Sequence, residues 1–349
     1  MTNSSHHNLK LLVTGGLGFI GSNFIRHVLQ TTSWFMLNLD KQTYAGNPEN
    51  LKDIEKNPRY QWVKGDIADS KVVQSLMEKA DIVVNFAAET HVDRSILNPQ
   101  AFLDTNVLGT FTLLEAARKS HLSLFLHVST DEVYGSIEEG EFCEQDPLAP
   151  NSPYAASKAS SDLLVRAYQK TYKLPTVITR CSNNFGPYQF PEKALPLLIT
   201  NAMENLPFPV YGNGNQVRDW TYVLDHVRAI LLLIEKASPG EIYNIGGTCS
   251  ISNQEIFKKI LARMKKPAEL LQTVPDRPGH DFRYALNCDK IRTLGWSPKI
   301  SFEKALEDTI DWYKKFQNWW KPLKEKTNFK SYYQDQYSNS LPVVKQVNS

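Results

Sequence analysis

Tyr154 and Lys158 stand four residues apart in Pro153-Tyr154-Ala155-Ala156-Ser157-Lys158, a spacing that puts both side chains on one face of a helix. A free tyrosine has a pKa of about 10, so a phenol that takes up a proton near neutrality needs a shift of roughly 3 units, about 4 kcal/mol. An ammonium one helical turn away offers charge in the right direction. About twenty residues upstream, Val128-Ser129-Thr130-Asp131-Glu132-Val133-Tyr134-Gly135 sets hydroxyls directly before two adjacent carboxyl groups. Neighbouring carboxyls repel when both are ionised, so one is pushed towards the acid form and the other is left as the base. Thr130, Asp131, Glu132, Tyr154 and Lys158 are therefore the candidate catalytic residues, for oxidation of a hydroxyl coupled to removal of water. Each part has an ordinary reading on its own. Tyr and Lys at this spacing occur on exposed helices, and Thr-Asp-Glu after a strand is a common polar loop.

These side chains need a scaffold, and the chain is patterned for one. Residues 9–14 form a short apolar run ending in glycines, and residues 19–30 carry apolar side chains at helical spacing, the first half of a β-α-β unit. Residues 35–39, 61–63, 82–86, 124–129 and 176–179 are strand-like, with helical stretches such as 71–78 and 106–120 between most of them. Continuous apolar strands alternating with helices predict an α/β fold, a Rossmann-type doubly wound parallel sheet covered on both faces. After Arg180 the texture becomes rich in Pro and Gly, interrupted by a helix at about 193–205, which reads as a smaller, mostly C-terminal substrate-binding lobe. Residues 225–236 and 242–245 again look like helix and buried strand, so the chain returns to the sheet before finishing that lobe. Ser301 can cap a final amphipathic helix carrying Leu306, Ile310, Tyr313 and Phe316. Trp319 and Trp320 are expected to pack its end rather than to stack on a base or sugar. Beyond Pro322 the sequence reads as a polar tail.

Thr14-Gly15-Gly16-Leu17-Gly18-Phe19-Ile20-Gly21 follows the first strand and opens the first helix, the context that a dinucleotide fingerprint requires. Glycines let the backbone approach a pyrophosphate, while free amides and the helix dipole stabilise its charge. A tight strand-to-helix turn also wants glycine for steric reasons alone. Asp40, at the end of the second strand, can accept from the adenosine ribose hydroxyls and repel a 2′-phosphate, so NAD is expected over NADP, a preference that Lys41 softens. The candidate cofactor residues are Gly15, Gly18, Phe19, Ile20 and Gly21 in the turn, and Asp40, Lys41 and Thr43 after the second strand. Asp66 and Ile67 after the third, Ala87 and Ala88 after the fourth, and Tyr154 and Lys158 complete them. Asp66 has the alternative role of a helix cap.

With 349 residues, 42% of them apolar, the chain can fill one large domain or two joined lobes, which excludes a disordered or fibrous class. Its 39 basic and 37 acidic residues leave a net charge of +2 without a long run of one sign, which argues against nucleic acid or an anionic membrane as main partner. Cys143, Cys181, Cys249 and Cys288 lie far apart, so neither a metal site nor a disulfide framework is indicated, and a reducing cytoplasm fits best. No apolar stretch approaches the roughly 20 residues that span a bilayer, and no signal peptide or membrane anchor is read.

The Gly15, Gly18, Gly21 turn taken with Tyr154 and Lys158 resembles the extended short-chain dehydrogenase/reductase family. Ala88-Glu89-Thr90-His91-Val92-Asp93-Arg94-Ser95, the segment from Ser129 to Gly135, and Arg218-Asp219-Trp220 resemble its sugar-nucleotide 4,6-dehydratase branch, over about residues 10–320. The resemblance implies that bound NAD accepts a hydride from carbon 4 of dTDP-glucose while Tyr154 removes the hydroxyl proton. Glu132 then takes the proton of carbon 5, Asp131 protonates the departing hydroxyl of carbon 6, Thr130 holds the oxygen of carbon 4, and hydride returns to carbon 6. Also implied is a place in deoxysugar biosynthesis of the rhamnose type, and a homodimer formed through helices flanking the sheet.

The same resemblance supplies the substrate contacts: Asn183, Glu192, Lys193, Arg218, Asn253, Arg277 and His280, with Pro209 and Tyr211 against the nucleobase and Glu89 and His91 on the sugar side. Lys193 and Arg277 have surface charge, His280 a structural histidine and Tyr211 core packing as alternatives. The domains expected are a cofactor domain at 8–180 and about 216–248, a substrate lobe at about 181–215 and 249–322, and a tail at 323–349. Three other readings stay open: a sugar-nucleotide 4-epimerase, a 4,6-dehydratase of UDP-glucose, and a catalytically silent nucleotide-binding protein.

Overall fold

The computed structural model describes residues 8–337. Seven parallel strands make the central sheet: β1 (Lys10–Thr14), β2 (Phe35–Asp40), β3 (Tyr60–Lys64), β4 (Ile82–Asn85), β5 (Leu124–Thr130), β6 (Thr176–Cys181) and β10 (Ile242–Ile245). Their spatial order is β10-β6-β5-β4-β1-β2-β3. The side chains of a strand alternate between faces, and here both faces are buried: Leu11 and Val13 pack into one core, Leu12 into the other. Helices Phe19–Thr31 and Val223–Lys236 cover the first face; Ser70–Met77, Thr110–Ala117 and Pro153–Tyr172 cover the second. The α/β doubly wound sheet expected from the sequence is the architecture found.

The chain moves outward from β1 to β3 on one side and from β4 to β10 on the other. The crevice at this reversal, beyond the carboxyl ends of β1 and β4, is where such sheets hold ligands. Thr14, Asp40, Asn85, Thr130 and Cys181 all end strands on that rim. Over the rim lie a three-stranded sheet of β7 (Asn183–Phe185), β9 (Val217–Tyr222) and β11 (Ser250–Ser252), and a parallel pair, β8 (Phe208–Tyr211) with β12 (Leu271–Val274). Helices Ala194–Glu204, Asn253–Met264 and Phe302–Lys315 pack against them.

Two stretches depart from the sequence reading. Residues 106–120 were expected to be one helix, but Leu103–Gly109 is wound as a π-helix before Thr110–Ala117 continues as α-helix. The widened turn releases the Asn106 carbonyl, which accepts from Ser161 Oγ at 2.6 Å. The tail read at 323–349 is in part a helix, Thr327–Tyr337, which buries Phe329, Tyr332 and Tyr337; residues 338–349 lie outside the described residues. Aromatic rings packing onto the lobe order this segment, a signal its polar composition hides. Trp320 is fully buried and donates from Nε1 to the Tyr313 carbonyl at 2.8 Å, while Trp319 donates to Asn50 Oδ1 at 2.9 Å, so both pack the helix end as expected.

Candidate active site

The cofactor end of the crevice is built on the glycine turn. Gly15 has φ +71°, and a Cβ there would meet the Ala87 amide nitrogen at 2.7 Å; a Cβ on Gly21 would meet the Gly15 carbonyl oxygen at 2.5 Å. Gly18 caps the helix without a side chain, so the first-turn amides of Phe19, Ile20 and Gly21 have no partner inside the helix. Asp40 fixes the turn: one carboxylate oxygen accepts from Leu17 N at 2.9 Å and the other from Gln42 N at 2.7 Å. Burial pushes its pKa up, and those two amides oppose the shift. Each oxygen keeps a lone pair for a further donor. Lys41 pairs with Asp66 at 2.6 Å, and Asp66 also accepts from Ala68 N, so it caps a turn and lines the crevice at once. Thr43, Ile67, Ala87 and Ala88 line the same cleft, as does every other residue expected at the cofactor. Backbone cradle, free amides and ribose acceptor together fit a dinucleotide.

The catalytic candidates meet at the floor of this cleft. Ser152 caps helix Pro153–Tyr172, accepting from Ala155 N, and Pro153 starts the helix, so Tyr154 and Lys158 sit in its first turns facing β5. Lys158 Nζ donates to the Val128 carbonyl at 2.7 Å, and burial lowers its pKa to about 8 while the Asp162 carboxylate opposes the fall. Tyr154 is pushed well above the ordinary phenol value by burial and by the Glu132 charge; its hydrogen bond with Thr130 works the other way. Lys158 thus spends one proton on a carbonyl, and the expected lowering of Tyr154 is not produced by protein groups alone.

The carboxyl pair is asymmetric. Asp131 is 2% exposed, accepts from Thr130 Oγ1 at 3.1 Å through one oxygen, and has no partner for the other. Burial, then the neighbouring Glu132 and Asp219, push its pKa well above the carboxylate range. Glu132 is raised by burial too, but Arg277, Arg218 and Lys193 oppose the shift. The surroundings thus favour the acid form at Asp131, while three cations favour the charged form at Glu132. Glu132 lines both the cofactor cleft, of about 1570 Å³ to its open mouth, and an adjoining cleft of about 1020 Å³.

That second cleft belongs to the small lobe. Asn183, Glu192 and Lys193 line both cavities, Glu89 the first, and His91, Pro209, Tyr211, Arg218, Asn253, Arg277 and His280 the second. Lys193 Nζ donates to the Thr90 carbonyl at 2.7 Å. Arg218 is buried, its guanidinium 4.4 Å from the Tyr284 ring centre and donating to the carbonyls of Val217, Asp281 and Phe282. Arg277 pairs with Asp93 at 3.1 Å and keeps a buried Nε–H without an acceptor, and His280 faces Asp276 at 2.5 Å. Asn183 Oδ1 and His91 Nδ1 are also buried without a partner, in residues that line the cavities.

The structure adds residues the sequence reading left out. Asn106 accepts from Glu89 N at 2.9 Å and donates to the Glu89 carbonyl and to Ser157 Oγ, which ties the sugar-side loop to the catalytic helix. Arg94 makes two bonds to Glu192, at 2.9 and 3.1 Å, between the rings of Tyr44 and Tyr332. Asp93 and Arg94 stand inside the motif 88–95, so their neighbourhood was legible even though their roles were not.

Comparison with known proteins gives a consistent answer. The sequence pattern of the family described as GDP-mannose 4,6 dehydratase matches residues 12–309. A dTDP-glucose 4,6-dehydratase from Streptomyces niveus is 49% identical over 322 residues, covering 90% of this chain and 96% of its own. Among solved structures, the dTDP-glucose 4,6-dehydratase DesIV from Streptomyces venezuelae, with NAD and dTDP bound, superposes with a TM-score of 0.89 at 47% identity, over 90% of this chain and all of that one. A UDP-glucuronic acid 4-epimerase from Bacillus cereus, in complex with UDP-glucuronic acid and NAD, shares the fold at TM-score 0.84 but only 30% identity, over 88% of this chain and 99% of its own.

Proposed function

We propose that this chain, which belongs to the GDP-mannose 4,6 dehydratase family, is an NAD-dependent hydro-lyase that converts dTDP-glucose to dTDP-4-keto-6-deoxyglucose, for deoxysugar nucleotide biosynthesis of the rhamnose type. The observation that carries this reading is the unlike pair at the end of β5: Asp131, whose buried Oδ2 has no partner and whose pKa burial and its carboxylate neighbours push well up, beside Glu132, where Arg277, Arg218 and Lys193 oppose the rise. A 4-epimerase built on Tyr154 and Lys158 has no step that uses such a pair.

NAD, when bound against Gly15–Gly21 and Asp40, supplies the hydride acceptor for carbon 4, the donor for carbon 6, and a positive ring that favours ionisation of Tyr154. Tyr154 takes the hydroxyl proton at carbon 4, and the Thr130 hydroxyl turns its one proton from Asp131 to that oxygen. The ketone acidifies carbon 5, and Glu132 removes its proton. Asp131 hands its own proton to the hydroxyl leaving carbon 6, so one water departs. Glu132 then returns its proton to carbon 5. Arg218, Arg277 and Lys193 converge on the diphosphate end, where their charge complements the substrate. The dehydratase relatives support thymidine as the base; equal amounts of dTDP-glucose and UDP-glucose in competition test that choice.

The enzyme works as a homodimer in the cytoplasm. Leu97, Leu103, Leu108, Phe111 and Leu163 stand exposed on the helices that flank the second face of the sheet, a surface that favours cover by a second copy. The four cysteines are free, which suits a reducing compartment. The functional test is incubation with dTDP-glucose and NAD followed by mass spectrometry. A product lighter by one water supports the dehydratase; an isomer of unchanged mass replaces it with the epimerase.

A further inference from the structure

Helix Thr327–Tyr337 lies beyond residue 309, where the family pattern ends, yet it forms part of the wall of the second cleft. Three of its side chains reach groups that line the cavity. Tyr332 Oη donates to Asp93 Oδ2 at 3.2 Å. Gln336 Nε2 donates to the Tyr211 hydroxyl at 2.9 Å, and Tyr337 Oη stands 3.1 Å from the same oxygen. Tyr211 spends its own proton on Asp93 Oδ2 at 2.9 Å, so between the two tyrosines Tyr337 is the donor. The Tyr211 oxygen thus accepts twice and donates once, which fills its hydrogen-bonding capacity and pins the hydroxyl end of the side chain. Asp93, the acceptor at the end of this chain of bonds, also holds Arg277, whose guanidinium lies 5.9 Å from the Tyr211 ring centre.

We infer that Tyr337 and Gln336 are positioning residues for the nucleotide end of the substrate, acting through the Tyr211 hydroxyl. The inference rests on the reading of the second cleft as the nucleoside-diphosphate site. Without this helix the Tyr211 hydroxyl is held by one carboxylate, that of Asp93; two donors from the C-terminal helix turn it into a fixed wall. A side chain already pinned where the base packs loses less freedom on binding, so the effect falls on binding rather than on chemistry.

The test uses the full-length chain with Tyr337→Phe, Gln336→Ala, Tyr211→Phe and the Tyr211→Phe/Tyr337→Phe double variant. Calorimetry with dTDP gives Kd, and steady-state kinetics with dTDP-glucose give KM and kcat. Losing one hydrogen bond of ordinary strength weakens dTDP binding and raises KM by roughly 2- to 10-fold, with kcat changed much less. Gln336→Ala shifts both constants in the same direction, and Tyr337→Phe adds little once Tyr211 is already Phe. Wild-type dTDP affinity in both Tyr337→Phe and Gln336→Ala overturns the inference, as does an equal effect of Tyr337→Phe in the two backgrounds. A wild-type chain that binds no dTDP overturns the substrate reading and this inference with it, whereas tight wild-type binding that the variants share overturns this inference alone.

Discussion

Replacing Glu132 with Gln removes the base proposed for carbon 5 while keeping the side chain's size. General acid–base catalysis by a positioned group is worth about 100- to 10,000-fold, or about 2.7–5.4 kcal/mol at 1.36 kcal/mol per tenfold. Water loss should slow by that factor. The electrostatics around the residue make the prediction sharper. The Glu132 charge pushes up both Tyr154 and Asp131, so neutralising it makes Tyr154 easier to ionise and leaves oxidation at carbon 4 intact. The variant should therefore oxidise dTDP-glucose once and stall, with the near-ultraviolet absorbance of reduced nicotinamide building up on the enzyme to about one equivalent per site. Rapid-mixing absorbance and a mass spectrum of the released nucleotide read the two steps separately. Wild-type turnover in Glu132→Gln would refute the assigned role. An equal loss of both signals with unchanged NAD binding would place Glu132 in the oxidation step instead.

Asp40→Ala removes a charged acceptor for Leu17 N and Gln42 N as well as the proposed ribose partner, and should raise the Kd for NAD at least about 10-fold, measured by fluorescence quenching. Arg277→Gln withdraws a cation that opposes the upward shift of Glu132, so the acid limb of the kcat profile at saturating substrate should move to higher pH; an unmoved limb would remove Glu132 from that titration. Leu108→Glu with Phe111→Glu places charge on the exposed apolar helices and should give a monomer in sedimentation velocity, whereas an unchanged dimer would put the contact elsewhere.

Much of the frame was legible because one physical signal dominated each element. The central strands are apolar without interruption, since helices cover both faces, and the glycine turn announces itself because no Cβ fits beside Ala87. Tyr154 and Lys158 were found by helical spacing, and their helix starts at Ser152 and Pro153 for ordinary capping reasons. Other features escaped. The pair β8 and β12 is hidden in segments where Pro207 and Pro209 suggest loop, and its partner strand lies some sixty residues away. A π-helical turn at Leu103–Gly109 uses residues that any α-helix would accept, so only the freed Asn106 carbonyl reveals it. Helix Thr327–Tyr337 reads as polar tail on its average composition, although Phe329, Tyr332, Tyr333 and Tyr337 fall at helical spacing and carry the signal. The direction of the Tyr154 shift depends first on its burial and then on the Glu132 carboxylate beside it, a matter of tertiary geometry.

The most direct test of the account follows the hydrogen itself. With dTDP-glucose carrying deuterium at carbon 4, one site that oxidises, eliminates and reduces in turn should yield a product that has lost one water and carries the deuterium in the carbon 6 methyl group. Deuterium retained at carbon 4 in a nucleotide sugar of unchanged mass would contradict it.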